Sequence, residues 1–402
     1  MERLTPVERA AVEHVADAPM REQVEAWCAI NSGTRNLKGV AAMGGVLADA
    51  FAALPGEIEM VEPAPVEAVE PDGSVVGIDH GRHLHLTVRP QAPVQMLFTG
   101  HMDTVYPAEH PFQSLSIRDD GAINAPGSAD MKGGLSLMLA ALKAVEASPL
   151  APRIGYEVVI NSDEETGSFA SAALLARAAQ GKVAALTYEP ALADGMLAGP
   201  RGGTGNFALV VTGRSAHAGR NPHEGRNAIV AAADLALRLA RAGREGLSVN
   251  PARIDGGGPN NVVPDHAVLR INFRPRDAAA IEAAQAALDL AIAEVAATHD
   301  VRIDLHGSFN RSPKPLDAGA ERLFGLVKQV GADLGVPIAW QFSGGVCDGN
   351  NIAACGVPVV DTMGARGGAI HSPEEFLIPE SLPERAALSA LTILRIAERG
   401  RP

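Results

Sequence analysis

Apolar residues recur at two different spacings along the first half of the chain, and the two alternate. Helical spacing appears in four stretches before residue 204: residues 5–30, where Pro19 separates two short helices, 38–54, 132–147 and 168–180. Alternating or nearly unbroken apolar runs, typical of strands, lie at residues 83–88, 94–100, 155–162 and 183–190. The run VQMLFTG at 94–100 has few polar positions, as expected of a strand covered on both faces. This alternation predicts an α/β domain with a mixed, mostly parallel sheet flanked by helices.

The pattern changes near residue 204. From there a strand, a helix, a strand, a helix and a strand follow at residues 206–215, 225–242, 263–275, 277–298 and 301–308. This succession predicts an inserted α+β sandwich that forms a lid and dimerisation domain. After Arg311, a helix at 319–335, an apolar strand at 357–363 and a helix at 380–399 return to the first pattern. The predicted division is therefore a catalytic domain of residues 1–203 and 311–402, interrupted by a lid domain of residues 204–310.

Composition and charge exclude some classes of function. The 402 residues are 47% hydrophobic and 20% charged, which is typical of a globular protein. The net charge of −13 argues against a nucleic-acid partner, which would require a basic surface. Three cysteines without a CxxC pair indicate no disulfide framework and fit a reducing compartment. No signal-peptide pattern and no membrane-length apolar run is visible, so we expect a cytoplasmic protein with no membrane partner.

Five segments place metal-binding side chains directly after apolar strands or at the start of helices. They are GHMDTV (100–105), GSADMKGG (127–134), SDEETGS (162–168), TYEP (187–190) and GGAIHSP (367–373). Ligands bind an open α/β sheet beyond the carboxyl ends of its strands, so these segments are expected to meet in one crevice. The side chains they carry are His101, Asp103, Asp130, Glu164, Glu165, Glu189 and His371.

Electrostatic repulsion between the carboxylates in this crevice favours the presence of metal ions. Carboxylates packed together without a counter-charge repel each other and raise each other's pKa values, a penalty that divalent cations remove. Imidazole and carboxylate ligands without thiolate suit Zn²⁺, and also Mn²⁺ or Co²⁺, and a bridging carboxylate permits two-metal hydrolysis. Taken singly, each residue also has a structural interpretation as an ordinary histidine, a helix N-cap, a solvated charge pair or a turn residue. The ordered set, rather than any one member, indicates the site.

The ordered set resembles the co-catalytic zinc metallopeptidases. That family includes glutamate carboxypeptidases, acetylornithine deacetylase, succinyl-diaminopimelate desuccinylase, dipeptidases and aminoacylases. The resemblance rests on HMD at 101–103, GSADMKGG, DEETGS, EP at 189–190 and IHSP at 370–373, and the segment GRSAHAGRNPHEGRNAI (213–229) extends it into the lid. Five motifs in this order are specific for the family and much less specific for the substrate.

The resemblance implies two zinc ions per subunit and a ligand set for each. His101 and Glu189 would bind one ion, and His371 and Glu165 would bind the other. Asp130 would bridge the two ions, and the peptide bond that follows it is expected to be cis, as is typical of the family.

Three catalytic roles follow from the same resemblance. Glu164 would be the general base that takes a proton from the attacking water and delivers it to the leaving amine. Asp103, two residues after His101, would orient that histidine. His217 in the lid would donate to the developing oxyanion, often across a dimer. The helix at 225–242 and the adjacent edge strand would then form the seam of a homodimer, although the helix also suits the core of a monomer.

Recognition of a substrate carboxylate favours arginine, which binds it through two hydrogen bonds. The candidates are Arg274, Arg366 and Arg201, each of which also suits a surface salt bridge, and Asn261 matches a substrate-contacting position of the family. Cys347 occupies a place where many relatives carry threonine or serine, and we interpret it as a buried small side chain rather than a nucleophile.

These features predict an enzyme that cleaves an amide bond next to a free carboxylate. The leading hypothesis is release of a C-terminal amino acid such as glutamate from a small peptide or an N-acyl amino acid. The alternatives are an N-acyl-amino-acid deacylase or a dipeptidase on the same site. A catalytically inert relative is disfavoured because the base and all five inferred ligands are present.

Overall fold

The computed structural model describes residues 4–402, and within that range it contains ten α-helices. These are α1 (Pro6–Ala16), α2 (Met20–Cys28), α3 (Leu37–Phe51), α4 (Gly133–Glu146), α5 (Ala172–Ala178), α6 (Ala228–Arg241), α7 (Ala278–His299), α8 (Ala318–Leu334), α9 (Asp348–Ala354) and α10 (Ser381–Arg399). Local sequence explains several of their starts. Thr5 and Glu8 form a reciprocal capping box at α1, and the side chains of Asn36, Asp277 and Asp317 cap α3, α7 and α8.

Nineteen strands lie in the same described range. The first nine are β1 (Glu57–Val61), β2 (Val66–Val69), β3 (Val75–Ile78), β4 (His83–Val88), β5 (Val94–His101), β6 (Ser116–Ile117), β7 (Ile123–Asn124), β8 (Ile154–Asn161) and β9 (Ala184–Thr187). The next six are β10 (Ala191–Leu192), β11 (Leu197–Arg201), β12 (Thr204–Thr212), β13 (Leu247–Gly256), β14 (His266–Pro275) and β15 (Arg302–Arg311). The last four are β16 (Trp340–Ser343), β17 (Val359–Val360), β18 (Arg366–Gly368) and β19 (Phe376–Leu377).

A six-stranded sheet in the order β1-β4-β8-β5-β9-β17 organises the larger part of the molecule. The pairs β8–β5, β5–β9 and β9–β17 are parallel, whereas β1–β4 and β4–β8 are antiparallel. β5 lies inside the sheet and is buried along almost its whole length, as its unbroken apolar pattern predicts. The predicted mixed, mostly parallel sheet is therefore confirmed.

Helices cover both faces of this sheet. On one face, side chains from α1, α2, α4, α8 and α10 join alternate residues of β4, β5 and β8 in the main hydrophobic core. On the other face, α5 and α9 cover a smaller core that includes Leu97, Val159 and Ala185. The open edge of the sheet beyond the carboxyl ends of β5, β8 and β9 is the place where polar side chains can gather.

The lid is a four-stranded antiparallel sheet, β13-β14-β12-β15, with α6 and α7 packed on one face. Its own core is separate from the main core and contains Leu209, Leu235, Phe273 and Leu288. On the opposite face, Val210 and Val268 contact Val69 of the β2–β3 hairpin. The predicted α/β fold with an inserted α+β lid is confirmed, whereas the division at residues 203/204 and 310/311 stays a prediction.

Several elements differ from the sequence prediction. The lid has a fourth strand, β13, which was missed because Asn250, Pro251 and a run of exposed residues interrupt any apolar alternation. The hairpin β2–β3 and the short helix α9 were also missed. The predicted helix at 168–180 begins only at Ala172, since Gly167 and Ser168 have positive φ angles of 107° and 57°.

Two connectors, residues 201–204 and 311–314, join the lid to the larger domain. Arg201 and Lys314 pair through two backbone hydrogen bonds of 2.9 and 3.0 Å. Their side chains converge on the buried Asp361, whose oxygens lie 2.7 Å from Arg201 Nε and 2.9 Å from Lys314 Nζ. Asn350 also donates hydrogen bonds to the carbonyls of Gly202 and Ser312. Both connectors are therefore fixed to the catalytic side at the same point.

Among the described residues, no helix is both long enough and apolar enough to cross a membrane.

Candidate metal centre

Three neighbouring strands of the central sheet end at the same edge and carry four of the predicted site residues there. His101 is the last residue of β5 and lies beside Asn161 of β8. Glu164 and Glu165 form a short helical turn just after β8, and Glu189 follows β9 by two residues. Parallel neighbours place their carboxyl ends side by side, so separate segments of sequence meet here.

Asp130 enters the same space from an irregular helical turn, Ser128–Lys132, that precedes α4. The peptide bond between Asp130 and Met131 is cis, which confirms that expectation. The buried carboxylate of Glu375 accepts hydrogen bonds from the backbone N–H groups of Gly127, Ala129 and Asp130 at 3.0 to 3.2 Å. Glu375 was not among the predicted residues, although it directly holds the turn that carries Asp130.

His371 lies in a loop with unusual backbone geometry. Its φ angle is 62°, and that of Ala369 is 51°, so two residues other than glycine adopt the left-handed conformation within three positions. Such conformations are uncommon and are concentrated at functional sites. About half of the His371 side chain is exposed, which leaves one side of the centre open.

The predicted ligands form two histidine–carboxylate groups that share Asp130. Asp130 Oδ1 lies 3.0 Å from His101 Nε2, and Asp130 Oδ2 lies 3.3 Å from His371 Nε2. Glu189 Oε1 lies 3.9 Å from His101 Nε2, and Glu165 Oε2 lies 3.2 Å from His371 Nε2. Each oxygen of Asp130 thus faces a different histidine, and each histidine has one further carboxylate.

This arrangement fits divalent cations in distance and in charge. Ligand atoms around a tetrahedral ion at ~2.0–2.1 Å are about 3.3 Å apart, close to most of the separations observed here. Burial raises the pKa of Glu165 to about 8, and the neighbouring charge of Asp130 adds to this shift. Oε1 of Glu165 is buried and has no hydrogen-bond partner among the described residues. Cations would supply the counter-charge and the partner that these carboxylates need.

Asp103 contacts both His101 and the backbone of the glutamate pair. The backbone carbonyl of Asp103 lies 2.9 Å from Nδ1 of His101, closer than its carboxylate at 3.5 Å, so Nε2 is left to face Asp130. The carboxylate accepts hydrogen bonds from the N–H groups of Glu164 and Glu165 at 3.2 Å and from the Thr34 hydroxyl at 2.7 Å. Asp103 therefore positions both the histidine and the glutamate pair.

Glu164 is buried and contacts an arginine that the sequence analysis did not select. Oε1 of Glu164 lies 2.7 Å from Nη2 of Arg311, which also lies 3.4 Å from Asp348. Burial raises the pKa of Glu164 to about 7, although the charge of Arg311 opposes the shift. Arg311 is the last residue of β15, where the lid joins the larger domain. Its position at this junction is the one feature of the sequence that could have indicated a role at the site.

Two cavities adjoin the centre, and both are lined by Glu164, Glu165, Gly345, Val346 and His371. The first, which we call the apolar cavity, has a volume of about 290 Å³. The apolar members of its lining are Pro190, Leu192, Met196, Leu197, Ala198, Phe342, Val346 and Ile370. The second, which we call the arginine cavity, has a volume of about 340 Å³ and is lined by Arg274, Arg311, Asn206, Asn310 and Thr204. The centre thus lies between an apolar and a cationic compartment.

The remaining predicted residues lie in different places. Arg274 lines the arginine cavity, and Arg201 lines the apolar cavity with its guanidinium paired to Asp361. Arg366 is half-buried, lies 3.8 Å from Glu384 and lines neither cavity.

His217 and Asn261 are exposed lid residues, and neither lines a cavity at the centre. They are neighbours of each other, because the N–H of Ala218 donates to the carbonyl of Asn261 at 2.9 Å.

The chain is similar in sequence and in fold to known proteins. The sequence model described as "Peptidase family M20/M25/M40" matches residues 97–395. Carboxypeptidase G2 of Pseudomonas sp. (strain RS-16) is 28% identical over 380 residues, which cover 91% of this chain and 86% of that protein. Succinyl-diaminopimelate desuccinylase of Xanthomonas campestris pv. campestris (strain 8004) is 30% identical over 330 residues, covering 76% and 84%. The crystal structure of aminopeptidase PepT from Bacillus cereus shares the fold, with a TM-score of 0.71, 24% identity and coverage of 94% and 98%.

Proposed function

The chain belongs to the peptidase family M20/M25/M40 and is a metal-dependent hydrolase of amide bonds. From this premise, we propose that it releases a C-terminal amino acid, such as glutamate, from a small peptide or an N-acyl amino acid. The observation that carries the proposal is the pair of arginines, Arg274 and Arg311, in the cavity beside the centre.

The proposed metal ligands are the two groups described above. His101 and Glu189 would hold one ion, His371 and Glu165 the other, and Asp130 would bridge them. Two Zn²⁺ ions, or Mn²⁺ or Co²⁺ in their place, supply positive charge that polarises an amide carbonyl and favours ionisation of a water molecule.

Glu164 is the proposed general base. Its carboxylate lies within 4.8 Å of ligand atoms of His101 and Glu189, close enough to reach a water molecule at the centre, and its Oε1 pairs with Arg311. In the proposed reaction it takes a proton from the attacking water and delivers that proton to the leaving amine nitrogen. Arg311, 2.7 Å from Glu164 Oε1, favours the ionised form in which the carboxylate can act as a base.

The arginine cavity is suited to a free carboxylate. Arg274 is an exposed residue at the cavity; partial desolvation lowers its pKa, and the nearby charge of Arg311 lowers it further. Among the described residues, Arg274 donates to Asn272 and forms no ion pair with a carboxylate. Two adjacent guanidinium groups, one of them without an acidic partner, favour an anionic ligand that bridges them.

A substrate carboxylate bound in the arginine cavity fixes which end of the substrate faces each cavity. The amino acid that leaves would occupy the arginine cavity, and the acyl group would extend into the apolar cavity. This orientation favours release of a C-terminal amino acid over the N-acyl-amino-acid deacylase and dipeptidase alternatives, in which a free amine or a different charge is recognised.

The lid residues His217 and Asn261 are proposed to act across a homodimer. Both are exposed and adjacent, and α6 of the same lid has exposed apolar residues Val230 and Leu237 one above the other on one face. A dimer formed through α6 and the edge strand β13 would cover this face. Arg201 and Arg366 stay proposals for substrate contact: Arg201 lies in the wall of the apolar cavity with its charge paired to Asp361, and Arg366 lines neither cavity. The cytoplasm is the proposed location.

A matched pair of substrates tests the proposal. Purified enzyme with added Zn²⁺ is expected to hydrolyse N-benzoyl-glutamate and to lose most of its kcat/KM on N-benzoyl-glutamine α-amide, which has no free carboxylate. Replacing Arg274 with Ala should raise KM for the acid far more than for the amide. Equal rates on both substrates, or hydrolysis confined to substrates with a free α-amine, would reject the proposed specificity.

A further inference from the structure

Away from the metal centre, eight of the fourteen described residues that line the apolar cavity are apolar, and Arg201 is the charged one. The cavity opens directly onto Glu165, Glu189 and His371, and its volume of about 290 Å³ lies near the lower end of small-molecule sites, which are ~300–1,000 Å³. When the scissile carbonyl lies at the metal centre and the substrate carboxylate lies in the arginine cavity, the acyl part of the substrate lies beside the apolar cavity.

Large apolar side chains are exposed around this cavity. Leu192 is 43% exposed, Phe342 is 47% exposed and Ile370 is 40% exposed, and all three contribute to its lining. They come from three separate segments of the chain. Exposed apolar residues that converge on one cavity, rather than being scattered singly, mark a surface that a ligand covers.

Arg201 is the one arginine among the described residues of the lining, and its charge is already paired. Asp361 lies 2.7 Å from Nε and 3.2 Å from Nη2 of Arg201, so the charge of the guanidinium is balanced. Its Nη1 donates to the carbonyl of Gly345 at 3.1 Å. Cys347, also in the wall, is a buried thiol whose pKa is raised by burial, so it is neutral. Outside the metal centre, an acidic acyl group would therefore be desolvated here without an unpaired cation among the described residues of the cavity wall.

From the lining, the exposed apolar residues and the paired arginine, we infer that this cavity selects substrates whose acyl group is apolar and uncharged, such as an aromatic or medium-chain acyl group, and excludes acidic acyl groups such as succinyl. The inference rests on the proposed function, because it assumes that the other side of the amide bond occupies the arginine cavity. It assigns Leu192, Met196 and Phe342 as residues that determine the specificity of this chain.

The test uses N-acyl-glutamates that differ only in the acyl group. We expect kcat/KM for N-benzoyl-glutamate and N-octanoyl-glutamate to exceed that for N-succinyl-glutamate by at least about tenfold. Leu192→Lys places a cation at the mouth of the cavity and should reduce this ratio by at least about tenfold. Leu290→Lys makes the same substitution at an exposed position of α7, outside both cavities, and should leave the ratio unchanged.

Other outcomes separate this inference from the proposed function. Hydrolysis of the N-succinyl compound at the same or a higher kcat/KM would overturn the cavity assignment and leave the proposed reaction intact. If none of the compounds is hydrolysed, the proposed function fails, and binding then decides the inference. In equilibrium dialysis with zinc-loaded Glu164→Gln protein, N-benzoyl-glutamate should bind at least about tenfold more tightly than N-succinyl-glutamate, and equal binding would overturn the inference.

Discussion

Removal of the Asp361 carboxylate should destabilise the protein strongly, because this one anion neutralises two buried cations. Asp361 is fully buried, its two oxygens lie 2.7 and 3.2 Å from Arg201, and one of them lies 2.9 Å from Lys314. Breaking one buried ion pair by deleting a single partner costs ~3–5 kcal/mol. We expect Asp361→Ala to reach the upper half of that range, about 4–5 kcal/mol, since two cations lose their partner together.

Urea unfolding followed by circular dichroism measures this effect. With a slope of about 2–3 kcal/mol per molar urea, the expected loss lowers the unfolding midpoint of Asp361→Ala by about 1.3–2.5 M. The matched control is Asp304→Ala, which removes the exposed ion pair between Arg302 and Asp304 at 3.0 Å. Exposed pairs contribute less than about 1 kcal/mol, so the control should shift the midpoint by under about 0.5 M.

If Asp361→Ala unfolds at the same urea concentration as Asp304→Ala, the Asp361 carboxylate does not stabilise the two connectors by neutralising Arg201 and Lys314. The adjacent variant Asp361→Asn retains one oxygen that can accept a hydrogen bond, so its midpoint should lie between those of the wild type and Asp361→Ala.

Three further predictions concern the centre and its surroundings. Glu164→Gln should lower kcat by about 10²–10⁴ while the metal content stays that of the wild type, and an unchanged kcat would remove Glu164 as the base. Glu375→Gln should weaken metal binding by about 10–100-fold, because one carboxylate oxygen that holds the Asp130 turn is replaced by an amide N–H₂ donor. Competition with a chromogenic chelator measures this affinity, and equal affinity would assign Glu375 a purely structural role. Burial opposes ionisation of Glu157, but hydrogen bonds from His85 and Lys182 hold its pKa below the ordinary value. The stability that wild type has over Glu157→Gln should therefore be complete above about pH 4.5 and decline as the pH falls further, and a difference that grows in acid would contradict this sign.

Much of the fold follows from the spacing of apolar residues. The sequence predicts the buried β5 because its apolar run is unbroken, and it predicts α7 from a long alanine-rich stretch at residues 277–298. It does not predict β13, which is an edge strand of the lid with mostly exposed side chains. Such a strand is held by its hydrogen bonds to β14, and a partner strand is invisible in a local pattern.

The candidate centre was predictable for a different reason. His101, Glu165 and Glu189 follow apolar strands directly, so the topology of a parallel sheet is enough to bring them together. Glu375 and Arg311 were missed because each acts through a partner far away in the sequence. Their contacts with the Asp130 turn and with Glu164 depend on tertiary packing, which no local motif records.

We propose that two divalent cations bind between His101, Asp130, Glu165, Glu189 and His371. The most direct test is inductively coupled plasma mass spectrometry of the purified, zinc-loaded protein after removal of free metal. We expect about two zinc ions per chain in the wild type and markedly fewer in Asp130→Ala, which loses the shared ligand. A wild-type protein that retains no metal, or an Asp130→Ala variant that retains the full two ions, would contradict this account.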